Sequence, residues 1–277
     1  MIRANRPAER KSRRPAREIN KTRTGTIDCD YETGPLDYSF IDSLFFWSEL
    51  ACGGRGGSYG GVDPGKARRG GGGKEAIEKV HSRRVQFKVE SEAMGNSEGE
   101  ILAQTPDRQR SHIELGAGGV IDEGFDGTVA WVKNPWQGLR VKTGDELAKV
   151  KRDARFNREL SYKSAYPDLA YKGIEKVGDE EAWLLESKPT PSSKERFWFS
   201  SKTALLIRQE SQYEGANGAV TVNVFPGDYK TTDGLKFPGA LKLKLSNGGQ
   251  DFEFTMKFLA VKNNAEIESA KFAKPAE

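Results

Sequence analysis

His81 and His112 are the only histidines in the chain, and neither belongs to a His-Glu-x-x-His helix or a Cys/His cluster. Zinc catalysis has no ligand set to start from. The two cysteines, Cys29 and Cys52, both fall in a polar, glycine-rich region, which supports neither a disulfide scaffold nor a thiolate metal cluster. No Gly-x-Ser-x-Gly elbow occurs. A Ser/His/Asp triad would therefore have to recruit a histidine beside or within a strand, where structural hydrogen bonding is the commoner role. Carboxylates are plentiful, but Asp122-Glu123, Asp126 and Asp179-Glu180-Glu181 stand beside glycines in turn-like contexts, the usual setting of solvated acids. Gly60-Gly61-Val62-Asp63-Pro64-Gly65-Lys66-Ala67 has phosphate-loop spacing as far as its lysine, yet Ala67 lacks the hydroxyl that holds magnesium and no strand precedes it. The expectation is a protein with no catalytic residue, no cofactor and no metal.

Apolar residues carry more information. Val85, Phe87 and Val89 alternate with polar neighbours, as do Val220, Val222 and Val224, then Leu241, Leu243 and Leu245, then Phe252, Phe254, Met256 and Phe258. Each run is a strand with one wet face and one greasy face. Trp131 stands in a further strand, and Phe197 and Phe199 share a face from which Trp198 points away. Most such side chains are core in any protein. Lining a hollow, they would instead shelter an acyl chain, worth about 0.8 kcal/mol per CH2 removed from water. These thirteen alternating residues and Trp131 are the candidate ligand-binding set.

The remaining elements frame those strands. Lys74 to Val80 reads as a short helical turn with Ile77 and Val80 on one side. Strands are expected near Glu98 to Ala103, Gln109 to Leu115, Val120 to Phe125 and Thr128 to Val132, with turns at Gly118-Gly119 and Asp126-Gly127. A helix should run from Thr143 to about Tyr162, carrying Leu147, Val150 and Ala154 with Phe156 and Leu160 on the neighbouring flank, before Pro167 ends it. Ala182 to Ser187, Glu195 to Phe199 and Leu205 to Gln209 return to strand. About ten strands with so few helices would curl round them or enclose a cavity, because long open sheets twist and tend to close.

Length and charge place this body in the chain. The 277 residues suit one large domain plus a tail. No apolar run approaches the ~20 residues of a membrane helix; the densest, Leu44-Phe45-Phe46-Trp47, ends at Ser48-Glu49. The formal net charge of +4 is N-terminal in origin: Met1 to Arg23 holds 9 basic and 2 acidic residues. A nucleic-acid groove would pair such basic residues with exposed aromatics, and none occurs before Tyr31, so a solvated arm is expected and no nucleic-acid partner. Residues 53 to 74 hold 11 of the 31 glycines with almost no large apolar side chain, too little to offset the entropy of ordering. Residues 1 to 70 are thus expected to be a disordered basic and glycine-rich arm and linker, and 71 to 277 the folded domain. Leu50-Ala51-Cys52 resembles the end of a bacterial lipoprotein signal, but Glu49 occupies a position that wants an apolar residue, which speaks against lipidation of Cys52.

Particular segments resemble the LolA-like, outer-membrane lipoprotein-sorting superfamily. Gly71-Gly72-Gly73-Lys74-Glu75-Ala76-Ile77-Glu78-Lys79-Val80 is similar to its opening helix, and Gly127-Thr128-Val129-Ala130-Trp131 to a strand-turn-strand. Tyr171 to Gly178 is similar to a mid-chain strand, and Asp233-Gly234-Leu235-Lys236-Phe237-Pro238 to a turn before the late strands. The resemblance covers about residues 71 to 275. It implies an α+β, mainly antiparallel β fold: a curved, incomplete, half-open β-barrel with a few helices covering its concave face. It also implies a non-enzymatic carrier of the periplasm or cell envelope, holding acyl chains of lipids or lipoproteins. Residues 1 to 70 depart from that pattern, with a basic lead where a clean signal peptide would stand. The competing expectations are an envelope interaction or scaffold module with a filled core and a protein partner, and a hydrolase using scattered acids.

Overall fold

The computed structural model describes residues 73–276, apart from 93–94, 161 and 216–217. The expected arm, with Cys29 and Cys52, lies outside the described residues. Wherever the sequence alternates strictly, a strand forms. Six successive hairpin-connected strands come first: β1 (Ser82–Glu90), β2 (Ser97–Gln104), β3 (Arg108–Glu114), β4 (Val120–Phe125), β5 (Ala130–Asn134) and β6 (Gly138–Val141). A helical link follows, then β7 (Ala170–Val177), β8 (Glu180–Ser187), β9 (Ser193–Ser200), β10 (Leu206–Gly215) and β11 (Gly218–Gly227). A small hairpin of β12 (Lys230–Thr232) and β13 (Leu235–Phe237) precedes the long pair β14 (Ala240–Asn247) and β15 (Gln250–Asn263). Two-residue loops at Asp233-Gly234 and Gly248-Gly249 have both φ angles positive, the conformation whose twist suits a tight hairpin.

Thirteen strands make one antiparallel sheet in the order β6-β5-β4-β3-β2-β1-β15-β14-β11-β10-β9-β8-β7. Its two edges, β6 and β7, are consecutive in the chain, so the link between them has to pass from one side of the sheet to the other. The sheet is curved and not closed. Side chains from β3 and β4 on one wing and from β9 and β10 on the other join a single buried cluster, together with those of β1, β11, β14 and β15 between them. The expected half-open barrel with few helices is what forms.

The helical link differs from expectation. Instead of one helix to Tyr162, α2 (Gly144–Asp153) is followed by a 3-10 turn at Arg158–Leu160 and the short α3 (Tyr162–Ala165), while α1 (Lys74–Glu78) opens the domain. The break is tertiary in origin. Phe156 is drawn into a cluster with Ile77, Val80, Leu235 and Phe237, and Asn157, at φ 54°, donates from Nδ2 to the carbonyls of Ile77 and Val80, 3.1 Å in each case. Both contacts are satisfied only if the helix stops short. Beside this cluster Arg83 is 1% exposed, with its guanidinium 4.4 Å from the Phe237 ring centre and 5.5 Å from that of Phe156. Cation–π contact and a 2.9 Å bond from Nε to Asn263 Oδ1 keep this buried charge compensated. One end of the curved sheet is thereby stoppered by α1, the β12–β13 hairpin and Phe156.

Candidate functional site

Cross-strand register decides which side chains share the concave face. One row runs Val261, Val85, Ile101, Ser111, Glu123, Val132 across β15, β1, β2, β3, β4 and β5. Another runs Phe254, Leu243, Val224, Gln209, Phe197, Leu185 across β15, β14, β11, β10, β9 and β8. Of the sequence-predicted set, Val85, Phe87, Val89, Val220, Val222, Val224, Leu241, Leu243, Leu245, Phe254 and Met256 are buried in one concave cluster, and Phe252 and Phe258 pack against it half-buried. Ala165 and Tyr166, at the end of the helical link, complete that cluster, with the Tyr166 ring edge-on to Phe197 at 5.4 Å.

Trp131 is the exception. It pairs with Gly124, one residue out of step with the concave Glu123–Val132 pair, and so faces the convex side. There its Nε1 donates to the Phe272 carbonyl at 2.9 Å, and Phe272 itself is fully buried under a strap formed by the C-terminal residues. Gly124 makes the contact feasible: a Cβ at that position would lie 2.5 Å from the indole. The strap explains the misplacement. Ala130, Trp131 and Val132 are all buried, so β5 shows no alternation by which to tell its faces.

Between the helical link and the sheet lies a buried polar seam that sequence reasoning missed. Asp153 accepts from Lys149 at 2.7 Å and from Arg158 at 3.2 Å, and Arg152 lies 3.4 Å from it. Arg152 reaches Glu195 on β9 at 2.9 Å, and the other Glu195 oxygen accepts from the Tyr166 hydroxyl at 3.0 Å. Burial raises the Asp153 carboxyl, but Lys149, Arg152 and Arg158 outweigh it and hold the group below its ordinary value. For Glu195 burial wins over Arg152, and its pKa is raised. Burial, with Glu195 alongside, likewise pushes Tyr166 well above the ordinary phenol. A second buried pair, Lys142 to Glu123 at 3.0 Å, sits on the β4 side, and a water-sized void of about 20 Å3 lies between Glu123, Lys142, Lys149 and Asp153. Glu123, read from sequence as a solvated turn acid, is 4% exposed within β4. Its partner is 19 residues away, beyond any local signal. Glu195 did leave a trace, since it shares strand parity with the inward-facing Phe197.

The end of the sheet opposite the stopper carries no such plug among the described residues. A recess of about 660 Å3 is lined there by Glu90, Ser91, Glu92 and Asn96 from the β1–β2 side and by Asp251 to Thr255 of β15. Phe252 and Phe254 bring the concave lining to its edge. Of the two histidines, His112 stands on the convex face, 2.9 Å from Asp122 and 3.4 Å from Glu114. Among the described residues no three His, Cys, Asp or Glu side chains are grouped to hold a metal ion. No helix among them is long and apolar enough to cross a membrane.

No family model and no curated protein matches the chain. Among solved structures it is similar to a DUF1329 family protein from Desulfovibrio piger, at 12% identity and a TM-score of 0.49, over 72% of this chain and 92% of that one. A putative outer membrane lipoprotein-sorting protein domain from Vibrio parahaemolyticus is similar at 11% identity and a TM-score of 0.49, again over 72% and 92%. A LolA superfamily protein from Nitrosomonas europaea follows at 11% identity and a TM-score of 0.47, over 72% and 96%.

Proposed function

We propose that residues 71–277 form a non-enzymatic carrier that holds the acyl chains of a lipid or lipoprotein against the concave face, in the periplasm or envelope of a bacterium. The observation that supports this reading most is the composition of that face. Sixteen buried apolar strand residues form its cluster, interrupted on the same face by Ser111, Glu123 and Gln209, and they are covered at the helical link by Ala165 and Tyr166 rather than by a long apolar helix. In α2 the only fully buried residue is the carboxylate Asp153, so ionic ties join the half-buried Leu147 and Val150, which pack against Phe125 and Ala130, in holding the cover to the sheet. An acyl chain entering at the end opposite the stopper would displace Ala165, Tyr166 and Leu169 and retain the strand lining. The resemblance of residues 71 to 275 to lipoprotein-sorting proteins points the same way. The test is titration of the purified full chain with an environment-sensitive fatty-acid probe, alongside mass spectrometry of its organic extract. Saturable probe binding with co-purified lipid is expected; neither appearing would remove the proposal.

The second reading, an envelope interaction module with a filled core, draws on the tight burial of Val224, Leu243 and Phe254, each at most 3% exposed. A probe that never binds, together with a stable protein partner recovered by proximity labelling, would favour it.

A further inference from the structure

At the end opposite the stopper the sheet has a notch. β14 pairs with β15 out to Asn247–Gln250, whereas β1 pairs with β15 only as far as Glu90–Thr255. Residues 250–254 of β15 therefore have a strand on one side and, among the described residues, only the recess of about 660 Å3 on the other, bordered by Ser91, Glu92 and Asn96. The Ser91 hydroxyl, 3.5 Å from the Glu253 carbonyl, marks the direction in which that carbonyl points. Backbone polarity alternates along a strand, so Asp251 and Glu253 turn their N–H and C=O groups toward the notch while Phe252 and Phe254 turn theirs toward β14. At about 3.3 Å per residue the edge is about 17 Å long, the span of a strand of about five residues.

We propose that this notch binds an extended peptide segment in which apolar and basic residues alternate, added as a strand to β15. The two faces of the edge dictate the pattern. Residues opposite Phe252 and Phe254 would face the concave lining and be apolar. Those opposite Asp251 and Glu253 would face the convex side, where Glu90 and Glu92 also border the recess. Glu90 is already held by Lys88 at 2.7 Å and Lys257 at 2.6 Å, and Glu253 by Lys242 at 2.5 Å and Lys244 at 3.0 Å. Asp251 accepts only a hydroxyl, that of Ser246 at 2.6 Å, and no ion pair engages Asp251 or Glu92 among the described residues. Those two carboxylates supply the complementarity for the basic residues. Backbone hydrogen bonds would give affinity and the alternating side chains specificity, as in other strand-addition complexes. The inference goes beyond the acyl-chain reading and does not require it.

The test uses the full chain and the peptide acetyl-Lys-Val-Lys-Val-Lys-amide, compared with its Glu-Val counterpart and with a backbone N-methylated version of itself. Binding measured by calorimetry should be saturable for the basic peptide and at least about tenfold weaker for both controls, since one lacks the charge and the other the donors. Hydrogen exchange at the Asp251 and Glu253 amides should slow on binding. The double variant D251K/E92K, shown by circular dichroism to keep its sheet, should lose at least about tenfold in affinity. Equal binding of the N-methylated peptide would reduce the notch to a charged surface and overturn the proposal. So would no binding at all, unchanged exchange at Asp251 and Glu253, or concentration-dependent dimerisation without peptide, which would make a second copy the occupant.

Discussion

Asp153 and Glu195 are two buried carboxylates that respond to acid in opposite senses. Asp153 has a folded pKa held below the ordinary 3.8, so its contribution to stability is complete above that value and is lost as pH falls through the lower folded one. Glu195 has a folded pKa raised above 4.5, so the stabilisation tied to its protonated form is complete below 4.5 and is lost as pH rises through the folded value. Asp153→Asn leaves Lys149, Arg152 and Arg158 facing a neutral side chain. It should cost about 3–5 kcal/mol at neutral pH, and the loss should shrink as pH falls below the aspartate range. Glu195→Gln should instead flatten the decline in stability as pH rises from 4.5. Urea unfolding of both variants across that range checks the signs; profiles parallel to the wild type would refute the assignment. Close packing yields a second expectation. Gly99→Ala places a Cβ 2.4 Å from the His112 carbonyl and 2.5 Å from the Phe87 ring, so it should destabilise by about 1–3 kcal/mol in thermal or chemical unfolding.

The elements differ in what holds them. β1, β14 and β15 lie in the middle of the sheet with apolar concave faces, whereas α2 buries no apolar residue completely, packs only the half-buried Leu147 and Val150 against Phe125 and Ala130, and is tied further by Lys149, Arg152 and Asp153. Amide hydrogen exchange should therefore be fastest in 144–153 and slowest in the central strands, because local opening follows the buried apolar contact an element would lose. Equal protection would contradict this difference in anchoring. The free edges carry their own safeguards. β6 has four residues, and β7 carries Lys172, Glu175 and Lys176 and a register shift between Tyr171 and Gly173, features that discourage pairing with another sheet. Legibility followed the same division. β1, β11, β14 and β15 could be read because one face of each is wet, which leaves a period of two in the sequence. β5 could be read as a strand but not for its faces, because the C-terminal strap covers its convex side and puts Trp131 under Phe272. The helix from Thr143 was legible at its start and not at its end, since Phe156 and Asn157 break it for contacts with residues about 80 positions away.

At the scale of the domain, the chain runs outward from β1 to one edge, crosses to the other, and returns to close β15 against β1. Alternation could foretell a curved antiparallel sheet, but not that one end would be stoppered by α1 and the β12–β13 hairpin, nor that the buried acids Asp153 and Glu195 would tie the crossing segment down. Those features depend on which residues meet across long sequence separations. They give the concave face a stoppered end, a recess at the other end and a cover tied by buried acids as well as by Leu147 and Val150. The most direct check is a fatty acid bearing a photoactivatable diazirine on its chain, bound to the full protein, irradiated and mapped by mass spectrometry. Saturable adducts are expected on concave residues such as Val85, Val222, Leu243 and Met256. Adducts confined to convex or edge positions such as Leu259 and Ile174, or labelling that never saturates, would contradict the acyl-chain reading.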